Sequence, residues 1–332
     1  MQGGAATQEE PRAGARVLTL LANPLHVRII RTHAEQPLRL AELHERTEWP
    51  AQTTLRAAVG NLRRFGVLTR HEVSRMPYGV ANELTEAGRE MLFVADVLER
   101  WLARAPQGPI ELDSDAAKGA VKALADGWSS TMVRELASEP ASLTELDRQI
   151  PEVSYPSLER RLKRMRATRQ VEPSSVNGRG QPFEATDWLR HSVAPLSAAG
   201  RCERRHMREE SAPITAVEVE AAFLLAIPLV PLSESASGTC TLTARAESEN
   251  GDGRDGFAGV TVDIEDGVVV RCVPQVQQDA STWALGSPST WLDAVIDGRL
   301  ESLRLGGSMP QLAADLVNGL HLALFGGAET VI

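Results

Sequence analysis

Through the first two thirds of the chain, apolar residues recur every three to four positions, the period of a helix with one inward face. Val17, Leu20, Leu21, Val27 and Ile30 predict one long amphipathic helix over Arg16–Ala34, and Val121, Leu124, Met132, Val133 and Leu136 predict another over Ala116–Ala137. A shorter stripe of Leu55, Val59 and Leu62 marks a helix with a wide polar face, and Leu158, Leu162 and Met165 mark a second of the same kind. After each comes a short hairpin: Val67–Val73 with Gly79–Leu84 around Met76 and Pro77, then Gln170–Glu172 with Pro182–Ala185 around SSVNGRG. Closing helices are predicted over Thr85–Ala105 and Asp187–Arg208.

The last third reads differently. Val217–Ile227 is apolar without a clear period and fits either a helix or a buried strand. Strands are predicted at Thr239–Glu247, Gly259–Ile264 and Val268–Pro274, separated by the turns NGDGRDG and EDG. A short strand (Ala280–Leu285), a helix (Pro288–Asp297), a strand (Leu300–Leu305) and a closing helix (Pro310–Phe325) follow. Strands first and helices gathered at the end imply an α+β layer on a mainly antiparallel sheet.

The first two segments repeat one another at a spacing of 103 residues. Leu40–Leu68 aligns without gaps on Leu143–Val171, with identities at Leu40/Leu143, Glu42/Glu145, Leu43/Leu146, Leu55/Leu158 and Arg63/Arg166. Helix, helix, turn, helix, two-stranded wing, helix is the order of a winged helix-turn-helix, whose third helix enters the DNA major groove. The stretch VLTRHEVSRMPYGVANELTEAGREMLFVADVLERWLA resembles the end of a winged-helix regulator of the MarR and HxlR kind. DGWSSTMVRELASEPASLTELDRQIPEVSYPSLERRLKRMRA resembles the HxlR type more closely, with a Trp opening its first helix and several arginines on its third. Two departures are evident: Leu84-Thr85 before the last helix becomes Ala185-Thr186, and Tyr78 of the first wing has no counterpart in place.

Side chains give the DNA reading its chemistry. The second polar face carries Ser157, Arg160, Arg161, Lys163, Arg164 and Arg166, with Arg169 beyond, against the single acid Glu159. The first offers Thr53, Thr54, Arg56, Asn61, Arg63 and Arg64, with Arg70, His71 and Arg75 near the wing, and Arg179 sits between two glycines at the second wing tip. An arginine pairs in bidentate fashion with a guanine edge or a phosphate. Double-stranded DNA is therefore the expected partner, gripped by one chain acting as a pseudo-dimer or by a homodimer, with unequal half-sites because the two faces carry unequal charge.

Net charge refines that expectation. The formal charge of −9 is divided as +2 over residues 1–108 (14 basic, 12 acidic), 0 over 109–212 (16 and 16) and −11 over 213–332 (5 and 16). The acid thus gathers in the last third and leaves the repeated part able to meet a polyanion. Cys202, Cys240 and Cys272 form no framework or CxxC pair, which fits a reducing cytoplasm. Residues 1–15 read as a disordered lead without a signal peptide. The apolar run Ala221–Leu232 falls well short of the roughly 20 residues of a membrane helix, so a soluble protein without membrane attachment is expected.

The fold expected is α+β: winged helix-turn-helix domains over 16–108 and 109–210, then a ligand-binding α+β domain over 211–332. The segment DASTWALGSPSTWLDAVIDGRLESLRLGGSMPQLAADLVNGLHLALFG resembles the sterol carrier protein domain found at the C-terminus of some HxlR-type regulators. The resemblance implies an apolar tunnel, for which Phe223, Phe257, Trp283, Trp291, Met309, Leu316, Leu320 and Phe325 are the candidate lining, and an apolar or polycyclic effector. The acid usual after the glycine of the last strand is replaced here by Gly306-Gly307-Ser308. Enzyme signatures are absent: NGDGRDG places Arg254 and Thr261 where a calcium loop needs oxygen ligands, and the seven histidines show no HxxxH spacing. No catalytic residue, metal or cofactor is expected. The sequence thus implies a bacterial, ligand-responsive transcriptional regulator, with a sequestering protein that uses winged helices as a scaffold as the competing reading.

Overall fold

The computed structural model describes residues 12–47, 50–73, 79–127, 130–151, 153–175, 180–207, 211–246, 256–277 and 281–326. Residues 16–34 do not form one helix. Two helices, α1 (Ala15–Leu21) and α2 (Pro24–Thr32), meet at Asn23, whose side chain accepts from Leu25 N at 3.1 Å. Pro24 takes the first helical position, where its missing N–H has no role, so the Asn-Pro pair starts a helix rather than continuing one. The short α3 (Leu40–Arg46) and the longer α4 (Gln52–Arg64) follow, then strands β1 (Leu68–Val73) and β2 (Gly79–Leu84) in antiparallel register, then α5 (Glu86–Ala103).

The second unit follows the same course. Helices α6 (Asp115–Gly127) and α7 (Ser130–Ser138) fall within the span expected to be helical, Ala116–Ala137; residues 128 and 129 between them, among them the Trp read as opening a helix, lie outside the described residues. Strand β3 (Ala141–Ser142), α8 (Leu143–Gln149), α9 (Tyr155–Ala167), β4 (Val171–Pro173) and β5 (Pro182–Ala185) come next. The closing helix is again two: α10 (Asp187–His191) and α11 (Val193–His206), parted at Ser192.

The spacing of 103 residues reappears in local geometry. Helices α3 and α8, and α4 and α9, have bounds offset by that interval at both ends. The residue two beyond the third helix is left-handed in both units, Gly66 at φ 70° and Arg169 at φ 57°. Threonine caps the next helix each time: Thr85 receives Gly88 N and donates to the carbonyls of Gly66 and Val67, while Thr186 receives Leu189 N and donates to those of Arg169 and Gln170. Leu38 bridges Asn82 as β3 pairs with β5. A repeat that five identities only suggest is thus carried by caps and turns.

The units are packed against each other through corresponding helices. The opening helices α1 and α6 lie together, as do the closing helices α5 and α11. Beside them, Trp101 and Trp188 stack with centroids 4.5 Å apart and planes 4° from parallel, each indole donating to the other's carbonyl at 2.9 Å. Buried indoles that also satisfy their N–H groups make a strong joint. On α11, Glu203 is buried and receives Arg16 N at 3.0 Å and Val17 N at 3.4 Å, placing a carboxylate at the N-terminus of α1.

The last part begins with α12 (Ala216–Ala226), the segment whose sequence fits helix or strand equally. It is apolar on nearly every side because it is enclosed: α7, α10 and α11 lie against it as well as the sheet. The five strands β6 (Gly238–Arg245), β7 (Phe257–Glu265), β8 (Val268–Val273), β9 (Thr282–Gly286) and β10 (Arg304–Gly307) run in the order β10-β9-β6-β7-β8. All neighbours are antiparallel except β6 and β9. The last strand lies later than the expected Leu300–Leu305. Helices α13 (Pro288–Asp297) and α14 (Pro310–Phe325) have the expected bounds. Gly306 is required where it stands: opposite Trp283 in the register, a side chain there would meet the indole at 2.3 Å.

The described residues of the N-terminal lead are packed, against expectation. Ala13 is buried, and Arg12 pairs with Glu218 of α12 at 3.2 Å. Side chains of α5, α11 and α13 tie the repeated part to the sheet domain: Arg201 bonds Glu90 (3.2 Å) and Asp297 (2.6 Å), Arg205 meets Asp293 at 2.7 Å, and His206 meets Glu90 at 2.7 Å. Arg190 donates to the carbonyls of Leu224 and Leu225 at the end of α12, and Arg134 pairs with the buried Glu220 at 2.6 Å.

Candidate functional site

Helix α9 packs its apolar stripe, Leu158, Leu162 and Met165, against α6, α8 and β4. That fixes which of its cations reach solvent. Arg160, Lys163, Arg164 and Arg166 are exposed, as is Arg169 just beyond the helix. Ser157 is half-buried and accepts from Arg160 Nη2 at 3.4 Å. Arg166 lies over the buried Phe183 ring of β5 at 5.6 Å, which orients one cation at the junction of helix and wing.

Arg161 departs from the expectation. It is only 8% exposed and turns to the inward side of α9, three positions after Leu158 and four before Met165. Burial, and then the nearby Arg164, draw its pKa below the ordinary arginine value. Its helical position is incompatible with the outward ridge, so it is removed from the candidate DNA contacts.

In the first unit α4 packs Leu55, Ala58, Val59 and Leu62 inward and exposes Thr53, Thr54, Arg56 and Arg64. Arg63 is half-buried, and Arg64 lies over Phe65 at 5.6 Å. Arg63, Arg64 and Arg70 surround an open depression where the end of α4 meets β1, with Gly60 and Thr69. Three guanidinium groups at the junction of a third helix and its wing form a concentrated positive patch, of a chemistry that suits phosphate. His71 faces Glu83 across the hairpin at 3.2 Å. Arg75 and Arg179, assigned to the wing tips, lie outside the described residues.

The expected lining of the ligand cavity is brought together only in part. Phe223, Trp291 and Leu320 line one cavity of about 70 Å3, with Phe223 and Trp291 edge to face at 4.7 Å. Trp291 Nε1 donates to the Thr243 carbonyl at 2.8 Å, so the indole is fixed. The other candidates are elsewhere. Leu316 is buried core, Trp283 lies across Gly306, and Phe257, 51% exposed, is stacked by Arg245 at the end of β7. Met309, 40% exposed, precedes α14, and Phe325 packs on Phe93 of α5. The alternation of a strand and the ends of helices send these side chains in different directions, which composition does not reveal.

The cavity is also not confined to the sheet domain. Val193, Leu196, Ser197 and Gly200 of α11 form part of its wall, and Arg12 with Glu218 supplies its charged groups. Sequence reading passed over these residues. The run VAPLSAAG carries a usable signal, because small and apolar residues on every side of a helix denote enclosure. Burial lowers the Arg12 pKa to about 10 despite the partner carboxylate.

Among the described residues no helix is long and apolar enough to cross a membrane, and no group of three or more His, Cys, Asp or Glu is placed to hold a metal ion. The model of the HxlR-like helix-turn-helix family matches residues 20–107, from α1 to just past α5. That match supports a winged helix-turn-helix of the kind carried by DNA-binding transcriptional regulators, over about a quarter of the chain. No curated protein matches the chain.

Proposed function

We propose that the protein is a transcriptional regulator that grips operator DNA with two winged helices on one chain and answers to an apolar small molecule bound by its acidic domain. The reading rests chiefly on one observation: α9 repeats the place of α4 in the first unit, and its ridge of Arg160, Lys163, Arg164 and Arg166 stays exposed beside the acidic domain. Corresponding helices packed in pairs, α1 on α6 and α5 on α11, resemble the isologous contacts of a two-fold dimer. One chain then supplies both readers of a two-part site, and the halves differ because α4 presents Thr53, Thr54 and Arg56 where α9 presents Pro156, Ser157 and Glu159, and α9 then carries the denser cations from Arg160 onward. The sheet domain, which resembles sterol carrier protein domains, serves as the sensor; its work is binding and not catalysis.

Selection of duplexes from a random pool, followed by footprinting of the winners, tests this directly. The expected footprint has two dissimilar halves about one helical turn apart, formed at a stoichiometry of one chain per duplex. Recovery of no preferred sequence, or a symmetric footprint that needs two chains, contradicts the proposal.

A further inference from the structure

The cavity between α11 and α12–α14, partly open to the surface, touches both the repeated part and the sheet domain. Its body is aliphatic and aromatic: Leu196 from one side, Phe223, Trp291 and Leu320 from the other. Its charged wall groups are Arg12 and Glu218, held at 3.2 Å. Glu218 also receives Thr215 N at 2.8 Å and Thr215 Oγ1 at 3.2 Å, so its carboxylate keeps two hydrogen-bond donors when Arg12 also engages another anion. The guanidinium has five donors in a planar fork suited to a carboxylate.

We propose that this seam is the effector site and that it takes a small apolar carboxylic acid, its carboxylate on Arg12 and its hydrocarbon body against Phe223 and Trp291. The inference rests on the ligand-responsive reading above and moves the site from the interior of the sheet domain to the junction of the two parts. Size supplies the coupling. A dry apolar cavity of about 150 Å3 admits benzene, whereas this one measures about 70 Å3. A six-carbon body exceeds that space, so to be fully buried it requires α11 to part from α12 and α13 or Arg12 and Ala13 to lift away. The ligand then favours the parted arrangement over the tight one, which is the differential affinity that any switch requires.

Isothermal titration of the full chain with cyclohexanecarboxylate tests the site, with cyclohexylmethylamine and cyclohexylmethanol as probes of the same ring, similar bulk and different charge. The acid is expected to bind about tenfold or more tightly than either, the margin of a charge-assisted hydrogen bond, and Arg12→Gln is expected to remove that margin. Ala222→Leu fills the space and is expected to abolish binding. Gly200→Ala is the milder variant, since its new Cβ meets only Ile214 Cδ1 at 3.7 Å and Ala13 O at 3.9 Å, and it is expected to weaken binding in a chain that folds. Equal affinity for all three probes, or acid binding untouched by both filling variants, overturns the site. The same samples are titrated with selected duplex. Acid binding that leaves duplex affinity unchanged supports the site and refutes the regulatory reading, whereas duplex binding without acid binding refutes the site alone.

Discussion

Arg161 and Arg164 are neighbours on one helix and have opposite surroundings, one enclosed and one in water. The first is held by the packing of its stem, so Arg161→Ala is expected to lower stability by roughly 1–3 kcal/mol through lost burial. Arg164→Ala is expected to stay within about 0.5 kcal/mol of wild type in thermal unfolding, as surface changes do, and to weaken duplex binding. Equal stability of the two variants contradicts the assignment of faces. The sequence showed that α9 is cationic and helical, because charge and period are written in it. It did not separate Arg161 from its neighbours, since five cations among Glu159–Arg166 crowd a face whose edge depends on which helices pack alongside. The same holds for Phe257 and Met309, apolar residues that terminate elements and so face outward. Gly306→Val is a further test at this scale: the clash with Trp283 is expected to destabilise the sheet domain by roughly 1–3 kcal/mol, and a denaturant midpoint equal to wild type contradicts the close approach of β10 to that ring.

Elements were legible where pattern and punctuation agree. Helices α13 and α14 open on Pro288 and Pro310, and their expected bounds hold at both ends. Breaks were missed where periodicity continues through a cap: the apolar stripe passes from Leu21 to Val27 across Asn23-Pro24, and from Leu189 to Val193 across Ser192. Helix α12 was ambiguous because a helix enclosed on nearly every side has little polar face to betray its period. The repeated caps offer a test, for Thr85→Ala and Thr186→Ala are each expected to cost about 1 kcal/mol and to act additively, since they lie in separate units. Two buried histidines of α2 and its end add a pH dependence. His26 donates to the Leu20 carbonyl and His33 to that of Ile29, and burial pulls both below the usual imidazole value. Below about pH 6.5 the unfolded chain takes up protons that the folded one refuses, so this share of stability is complete above that pH and declines as pH falls towards the folded values. Thermal unfolding across pH 5.5–7.5 is expected to show that decline, and to show less of it in a His26→Gln, His33→Gln double variant.

At the scale of the whole molecule the charge division carries the account. An acidic chain binds a polyanion only if its acid is kept to one part, and the −11 of residues 213–332 adjoins a repeated part that is close to neutral overall but cationic along α4 and α9. The sheet domain is joined to the repeated part through ion pairs at Arg201 and Arg134 and through the seam cavity, without covering the α9 ridge. None of that joint was visible in the sequence, because its members are spread from Arg12 to Asp297. The central claim is that the outward cations of α9 neutralise phosphates, and the salt dependence of duplex affinity measures it most directly. For wild type the logarithm of the binding constant is expected to fall linearly with the logarithm of salt concentration, by about 0.9 for each phosphate neutralised. Replacing Arg160, Lys163 and Arg164 together by alanine is expected to reduce that slope by between two and three such steps; an unchanged slope in a folded triple variant contradicts the claim.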